Sequence, residues 1–266
     1  MAKIHPTAIV APGARIAEDV EIGPMCYVGE HVELGPGTRL IAQCHLNGYT
    51  TLGSGNVVYP FAALGLEAQD YGIQTGAKTY LKIGDRNLFR EGVTVHTGTK
   101  PDTTTVIGSD CLFMNHTHVA HNCKVGNHVI MVNSGAIAGY CELGDNVLFS
   151  GLSGLHQFCR VGRLAIVSGG SSYSKDIPPF MMAEGRNGGC KMINLIGLKR
   201  AGFDEKTIRA LKNVFKIFYH ETLGITSALA KIKAEVEPLP EVLEFIEFCE
   251  NSPRGVIGPR VAGHRD

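Results

Sequence analysis

An apolar residue recurs every six positions along most of this chain. Eleven successive positions from Ile4 to Leu64 fit the period, and eleven more fit it from Ile107 to Val167. Six residues do not match the turn of an α-helix, but they can form a short strand and a corner that present the same side chain inward each time. Three such sides close a triangular coil of about 18 residues, and coils stack at about 4.8 Å. The period therefore predicts a mainly β fold, a parallel β-helix in which residue i+18 lies above residue i.

The composition agrees with a narrow repeat fold. Glycine supplies 33 of the 266 residues and tryptophan is absent. Many glycines directly follow the inward apolar residue, and we expect them to relieve tight corners by adopting positive φ. Glycine without a strict three-residue period is not collagen-like, and a hydrophobic content of 44% excludes wholesale disorder.

Charge and cysteine usage predict a cytoplasmic protein. Lys+Arg and Asp+Glu are equal at 25 each, so the chain has no general electrostatic attraction for nucleic acid or an anionic membrane. The N-terminus lacks the apolar core of a signal peptide, and no run approaches the ~18 apolar residues of a membrane span. The eight cysteines are interpreted as reduced thiols that pack in the core rather than bind metal. Six of them share the small inward position of the repeat: Cys26, Cys44, Cys111, Cys123, Cys141 and Cys159.

The period is interrupted twice and then ends. Loops are predicted near 66–82 and 101–106, and after about residue 190 the apolar spacing becomes helical. Asp204 is the predicted N-cap of one helix, and Pro238 and Pro240 introduce the last one. The chain is therefore divided into a β-helix, 1–190, and a C-terminal helical domain, 191–266, that covers the open end of the β-helix.

Histidines cluster where a solenoid core has no need of them, in the segment NHTHVAHN. By the 18-residue spacing Gly139 lies above His121 and Gln157 lies above Gly139, with His156 beside it. Solvated surface histidines are one interpretation. General-base catalysis is another, in which a histidine removes a proton from an acceptor hydroxyl or amine and a glycine N–H stabilises the oxyanion of an acyl transfer. Without a GxSxG elbow, direct transfer is favoured over an acyl-enzyme.

A zinc site is a third interpretation, because γ-class carbonic anhydrases bridge subunits with three histidines on a hexapeptide β-helix. The five-residue separation of His116 and His121 suits such a site. The upstream ligand would fall near Tyr80, however, and His96 is out of phase. No metal ion is therefore predicted.

The sequence resembles, nearly end to end, the acyl-carrier-protein-dependent UDP-N-acetylglucosamine O-acyltransferases that open lipid A biosynthesis. HVAH, HQF and the GLKR helix are the more specific of the matching motifs, since the hexapeptide period alone specifies only a superfamily. The matching segments are HPTAIV, the pair Gln69-Asp70, IGDRNLFREGVTVH (83–96), HVAHNCKVGN (118–127), IAGY ending at Tyr140, HQF (156–158), DIPPF (176–180) and NLIGLKRAGF (194–203).

The resemblance implies a left-handed β-helix, a homotrimer with sites in the clefts between subunits, and transfer of a 3-hydroxyacyl chain from acyl carrier protein to the 3-position of UDP-N-acetylglucosamine. The acyl group travels on the phosphopantetheine of the carrier, so no cofactor is expected. It implies that His121 is the general base and that the Gly139 N–H holds the thioester oxyanion. The substrate-binding positions that it implies are Gln69, Asp70 and His118 for the sugar, His156 and Gln157 near the nucleotide and acyl chain, Asn194 and Arg200 for the nucleotide, and Gly169 for the floor of the acyl pocket, with Asn122 and Tyr140 beside them.

The chain departs from the family pattern around the predicted site. The base is usually followed by Asp, but here Asn122 follows it, and an amide stabilises an imidazolium less than a carboxylate does. The other departures are Tyr71-Gly72 for a lysine, Thr97 for an arginine, Tyr140 for a histidine, Ile196 for an acidic residue and Ala201 for an arginine. An N-acyltransferase acting on a UDP-3-amino sugar therefore remains an alternative, as does a catalytically silent β-helix that serves binding or assembly. Lys191, Lys199, Arg200 and Arg209 are either contacts for the acidic carrier protein or solvated surface charges.

Overall fold

The computed structural model describes residues 1–74, 76–186 and 188–259, and its strands form three sheets. Sheet 1 consists of β1 (Lys3–Ile4), β4 (Glu21–Ile22), β7 (Arg39–Leu40), β10 (Val57–Val58), β13 (Leu88–Phe89), β16 (Leu112–Phe113), β19 (Ile130–Met131), β22 (Leu148–Phe149), β25 (Ile166–Val167), β27 (Met181–Glu184) and β28 (Gly189–Ile193). Sheet 2 consists of β2 (Ile9–Val10), β5 (Tyr27–Val28), β8 (His45–Leu46), β11 (Ala63–Leu66), β14 (Thr94–His96), β17 (His118–Val119), β20 (Ala136–Ile137), β23 (Gly154–Leu155) and β26 (Ser172–Tyr173). Sheet 3 consists of β3 (Arg15–Ile16), β6 (Glu33–Leu34), β9 (Tyr49–Leu52), β12 (Tyr80–Ile83), β15 (Thr104–Ile107), β18 (Lys124–Val125), β21 (Glu142–Leu143) and β24 (Arg160–Val161).

The three sheets form the sides of a parallel β-helix, as the period predicts. Strands pair with those of the next coil in parallel register, for example Ile4 with Ile22 and Val119 with Ile137. The recurring apolar side chains point inward and are buried from Ile22 onward, while Ile4 at the uncovered N-terminal end is 46% exposed. All eight cysteines are buried free thiols, which agrees with the core packing expected from their positions.

The repeat glycines act differently from the prediction. Gly23, Gly126 and Gly144 do not have positive φ. Each lies against backbone of the next coil, so that a Cβ on Gly23, for example, would overlap the carbonyl oxygen of Ile41. Positive φ occurs instead at the third position after the inward residue, including Asn122, where φ is 60°. Glycine is therefore needed here for close coil stacking rather than for corner conformation.

Two insertions leave the β-helix and return to it. The register offset grows to 31 residues between β9 and β12 and to 24 between β12 and β15, then returns to 18. The strands next to the insertions lengthen to four residues, so the loops between strands are 67–79 and 97–103 rather than the predicted 66–82 and 101–106. Tyr80–Lys82 and Thr104–Val106, which were expected in the loops, are strand residues that continue the hydrogen-bonded ladder of sheet 3.

In the tail as far as residue 259, four helices follow the antiparallel pair β27 and β28: α1 (Leu195–Arg200), α2 (Glu205–His220), α3 (Ile225–Glu235) and α4 (Pro240–Glu250). Asp204 caps α2 as predicted, because its carboxylate accepts a hydrogen bond of 2.8 Å from the Thr207 N–H. The helix α3 was not predicted individually, and its N-cap, Gly224, makes no side-chain capping bond. Among the described helices, none combines the length and the apolar character that crossing a membrane requires.

A buried carboxylate ties the helical tail to the last coils. Asp176 is fully buried and accepts hydrogen bonds from the Arg160 backbone N–H (2.8 Å), the Arg160 guanidinium (3.0 Å) and the Ser252 hydroxyl (2.8 Å). A second ion pair joins Arg163 to Glu244 of α4 at 2.7 Å. Because a buried charge must be paired, these contacts hold the tail in one position over the end of the β-helix.

Candidate active site

A groove of about 480 Å³ runs along the outer face of sheet 2 at its corner with sheet 3. Its floor is made largely of small residues from β20, β23 and β26, such as Ala136, Gly154 and Ser172. Seven of the predicted site residues line it: Gln69, Asp70, His118, His121, Gly139, His156 and Gln157. The two segments that supply them are the first insertion, which brings Gln69 and Asp70, and successive coils of the β-helix.

His121 lies between two oxygen atoms. Its Nδ1 is 3.0 Å from Asn122 Oδ1, and its Nε2 is 3.4 Å from Asp70 Oδ2. The Thr99 backbone N–H, which can only donate, points to the same Asn122 atom at 3.1 Å and so identifies it as the amide oxygen. In the neutral ring, Nδ1 therefore carries the proton, and Nε2, which lies 3.4 Å from the Asp70 carboxylate without a hydrogen bond to it, keeps its lone pair. An imidazole in this tautomer can accept a proton at Nε2.

Gly139 lies directly above His121, as the 18-residue spacing predicts. The Tyr140 N–H donates to the His121 carbonyl at 2.9 Å, and a Cβ on Gly139 would overlap the His121 ring. Within the described ranges the Gly139 N–H donates to no protein acceptor. The position therefore combines a free backbone donor with the absence of a side chain beside the imidazole.

A fourth histidine of the groove, His96, is not among the residues predicted from the sequence. It is buried, its ring meets that of His118 edge-on at 5.0 Å, and its Nδ1 has no partner among the described residues. His96 is out of phase with the 18-residue spacing because the second insertion adds six residues between β14 and β17. Thr94 of β14 therefore pairs with His118, which is 24 residues later. When these six residues are subtracted, His96 falls on the same face of sheet 2 as His118.

His96 and His118 are neutral at neutral pH. Burial, together with the nearby His118 and His121, lowers the pKa of His96 to about 4. Burial and His121 also lower the pKa of His118, whose Nδ1 is hydrogen-bonded to the Thr94 hydroxyl at 2.7 Å. These rings therefore offer neutral hydrogen-bonding groups beside His121 rather than additional positive charge.

The geometry does not support the zinc interpretation. Across the described ranges no three His, Cys, Asp or Glu side chains are grouped so that they could hold a metal ion. The position one coil below His118 is occupied by Thr94, not by a histidine.

The far end of the groove is reached by the C-terminal segment. His156 Nδ1 is 3.3 Å from the guanidinium of Arg254, which also donates to the Ser174 carbonyl at 3.2 Å. Arg254 was not predicted, because nothing in a hexapeptide pattern relates residues 98 positions apart. Only the folded tail places this cation beside His156.

Five predicted residues do not line the groove. Asn122 and Tyr140 lie behind His121, with the Tyr140 ring edge-on to it at 5.3 Å. Gly169 is exposed at a corner after β25, and Arg200 is exposed in the last turn of α1. Asn194 is buried as the N-cap of α1, where its amide bonds the Gly197 N–H and the Leu164 carbonyl.

Comparison with known proteins gives consistent matches. A family model described as Udp N-acetylglucosamine O-acyltransferase, Domain 2, matches residues 176–257. The chain is 42% identical over 257 residues to the acyl-[acyl-carrier-protein]–UDP-N-acetylglucosamine O-acyltransferase of Thermodesulfovibrio yellowstonii, covering 96% of this chain and 99% of that protein. Among solved structures it matches the UDP-N-acetylglucosamine acyltransferase LpxA of Bacteroides fragilis (38% identity) and LpxA of Acinetobacter baumannii (39% identity), each with a TM-score of 0.92 and coverage of 96% and 99%. These matches confirm the predicted left-handed β-helix with C-terminal helices.

Gly139→Ala tests the contact between the glycine and the imidazole. The new methyl group overlaps the His121 ring, so the ring moves away from Asp70 and the protein loses about 1–3 kcal/mol of stability. A crystal structure gives the distance from His121 Nε2 to Asp70 Oδ2, and denaturation gives the stability. Gly258→Ala is the control, since this glycine lies outside the helices and an added Cβ there meets no atom within 4 Å. An unmoved ring and unchanged stability in Gly139→Ala would contradict the described packing.

The low pKa of His96 makes stability depend on pH. A histidine in the unfolded chain takes up a proton near pH 6.5, whereas folded His96 stays neutral down to about pH 4. The unfolded state alone therefore gains this proton between these values, and stability falls as the pH falls through that window, by roughly 3 kcal/mol from this residue. Urea unfolding of the parent and of His96→Gln at pH 7 and pH 4 measures the difference. Equal losses in the two proteins would rule out the buried neutral state.

Proposed function

This chain belongs to the acyl-[acyl-carrier-protein]–UDP-N-acetylglucosamine O-acyltransferase family of lipid A biosynthesis, and we propose that it transfers a 3-hydroxyacyl chain from acyl carrier protein to the sugar 3-hydroxyl, with His121 as general base. Its activity as an acyltransferase follows from 42% identity over nearly the whole length of a member. The observation that carries the mechanism is the stacking of Gly139 on His121, which sets a free N–H beside a proton-accepting Nε2.

In the proposed step the acceptor hydroxyl lies at His121 Nε2. The imidazole takes the hydroxyl proton while the oxygen attacks the thioester carbonyl carbon, and the Asn122 oxygen holds the Nδ1 proton throughout. When the carbon–sulfur bond breaks, the imidazolium returns the proton to the leaving thiolate. The result is one new ester and a free phosphopantetheine thiol, so no group remains on the enzyme.

The oxyanion of the tetrahedral intermediate is assigned to the Gly139 N–H. This donor is fixed by the coil backbone, since the glycine carbonyl accepts from the Phe158 N–H at 3.1 Å. A donor that is already oriented costs no reorganisation when charge develops on the carbonyl oxygen. The absence of a Cβ lets the thioester approach both this N–H and His121.

The sugar is assigned to the part of the groove between the first insertion and β17. Asp70 supplies a carboxylate for sugar hydroxyls, and the Oδ1 atom of this carboxylate accepts a hydrogen bond from the Gly72 N–H at 2.7 Å, which orients the side chain. Gln69, His118 and His96 supply neutral polar groups around it. His96 joins the substrate-binding set on this ground.

The acyl chain is assigned to the small and apolar floor beyond His121. This floor runs from Ala136 and Ala138 to Gly154, with His156 and Gln157 at its side. Farther along, Gly169 is exposed and leaves room for more of the chain. The polar end of the groove suits the UDP-linked sugar, and its apolar end suits the acyl chain.

The remaining assignments concern the assembly. Asn194 and Arg200 do not line the groove of their own chain. Their match to the family motif is explained if the protein is a homotrimer and each groove receives its nucleotide contacts from a neighbouring subunit. Exposed Lys199 and Arg209 suit contact with the acidic carrier protein.

We assign the catalytic groove to the β-helix, 1–190, and capping and carrier contact to the domain 191–266. The enzyme is proposed to be cytoplasmic and to need no cofactor beyond the carrier's phosphopantetheine.

A transfer assay with His121→Ala tests the assignment. Purified protein is incubated with UDP-N-acetylglucosamine and 3-hydroxyacyl carrier-protein thioesters of several chain lengths, and the alanine variant is expected to lose about 10²–10⁴-fold in kcat because the proton acceptor is gone. His128→Asn, which changes an exposed histidine at another corner, is the control.

The same assay distinguishes the alternative acceptor. With the 3-amino analogue of the sugar nucleotide in a parallel reaction, ester formation on the ordinary substrate supports O-acyl transfer, and exclusive amide formation would replace it by N-acyl transfer. A His121→Ala variant with the parental rate would remove this histidine from the mechanism.

A further inference from the structure

We propose that Thr99 and Tyr140 are positioning residues that fix the proton of His121 on Nδ1 by anchoring the amide of Asn122. The proposal rests on the proposed role of His121 as general base. It gives a function to the second insertion, the loop 97–103, from which Thr99 comes, and it assigns Tyr140 a role other than substrate contact.

The contacts form a chain behind His121. Thr99 is buried, and both its backbone N–H and its hydroxyl donate to Asn122 Oδ1, each at 3.1 Å. Because the Thr99 proton is used there, the Thr99 oxygen accepts from the Tyr140 hydroxyl at 3.2 Å. His121 Nδ1–H is the third donor to the same Asn122 oxygen. Tyr140, Thr99, Asn122 and His121 are therefore joined by continuous hydrogen bonds whose donors converge on the Asn122 oxygen.

An amide needs such an anchor because its two ends differ. If Asn122 rotated, its NH₂ group would face His121 Nδ1, which would then keep its lone pair and leave the proton on Nε2. A histidine protonated on Nε2 cannot remove a proton from a hydroxyl placed there. A carboxylate has two accepting oxygens and cannot be turned the wrong way, so a chain with Asp at this position would not depend on Thr99.

The stacking of adjacent coils places Asn122 and Tyr140 next to each other. Asn122 and Tyr140 occupy equivalent corners of adjacent coils with φ of 60° and 59°, which sets both side chains on the same outer corner. The Tyr140 ring is held edge-on to His121 and stacked on Phe158 at 5.1 Å. The Asn122 N–H is also held, by the Thr105 hydroxyl at 2.7 Å. Asn122 is thus held through both its side-chain amide and its backbone N–H.

A double-mutant cycle between Thr99→Val and Asn122→Asp tests this role. In the parent, Thr99→Val is expected to lower kcat about three- to tenfold, the equivalent of one hydrogen bond, with the KM for the sugar nucleotide within about twofold. In the Asn122→Asp background the same change is expected to cost less than about twofold. Tyr140→Phe should follow the same pattern more weakly, and Thr99→Ser should restore the parental rate. Equal losses in both backgrounds would show that Thr99 only packs.

The position of the proton is measured without any turnover. Nitrogen-15 NMR of the imidazoles, with the His121 signals assigned from His121→Ala, is expected to show protonated Nδ1 in the parent and a larger Nε2–H population in Thr99→Val. The charged and titratable groups that face His121, namely Asp70, His96, His118 and Tyr140, are unchanged in Thr99→Val. An unchanged tautomer in Thr99→Val would overturn the proposal.

Two further comparisons separate the possible failures. Thr38→Val removes another buried hydroxyl, which donates to the Gly53 carbonyl at 3.0 Å far from the groove, and should change neither kcat nor the His121 signals. If the parent acylates neither sugar nucleotide, the proposed function fails, but the NMR result still decides whether Thr99 sets the tautomer.

Discussion

The structure depends on one interaction, the parallel backbone hydrogen bonding of each coil to the next at a fixed register. Ile4 lies under Ile22 and Val119 under Ile137, and outside the two insertions the 18-residue spacing holds as far as β26, where Gly154 lies under Ser172. The stacking distance is short enough that a repeat glycine such as Gly144 faces backbone of the coil above it, where a Cβ would not fit. A side chain placed at one corner therefore has a neighbour that is determined by counting, and His121 and Gly139 form the central pair of the groove for this reason.

The site is completed by the places where the register is broken. The first insertion returns Asp70 to within 3.4 Å of His121, and the second brings Thr99 against Asn122 behind it. A regular solenoid alone offers a flat face of repeated residues, so these loops supply what the repeat cannot. The helical tail adds Arg254 beside His156 at the far end. Each irregular segment thus contributes to a groove whose floor is regular.

Much of this could be predicted from the sequence, because the repeat converts sequence distance into spatial distance. The β-helix, the inward cysteines, the N-cap at Asp204 and the position of Gly139 above His121 all follow from periodicity. His96 was lost because an insertion changed the count by six residues. The contacts of Thr99 and Arg254 could not be predicted from the sequence, because loops and tails return to the β-helix along paths that no period specifies. Corner φ values were assigned to the wrong residues, since the need of glycine for close stacking looks the same in sequence as a need for positive φ.

The central claim is that His121 Nε2 is the atom that receives the proton of the sugar hydroxyl. A crystal structure of the protein with bound UDP-N-acetylglucosamine measures this most directly. We expect the sugar 3-oxygen about 2.6–3.2 Å from His121 Nε2, on the side that faces Asp70 and the Gly139 N–H. A bound sugar whose 3-oxygen lies elsewhere, with Nε2 hydrogen-bonded to a different group, would contradict it.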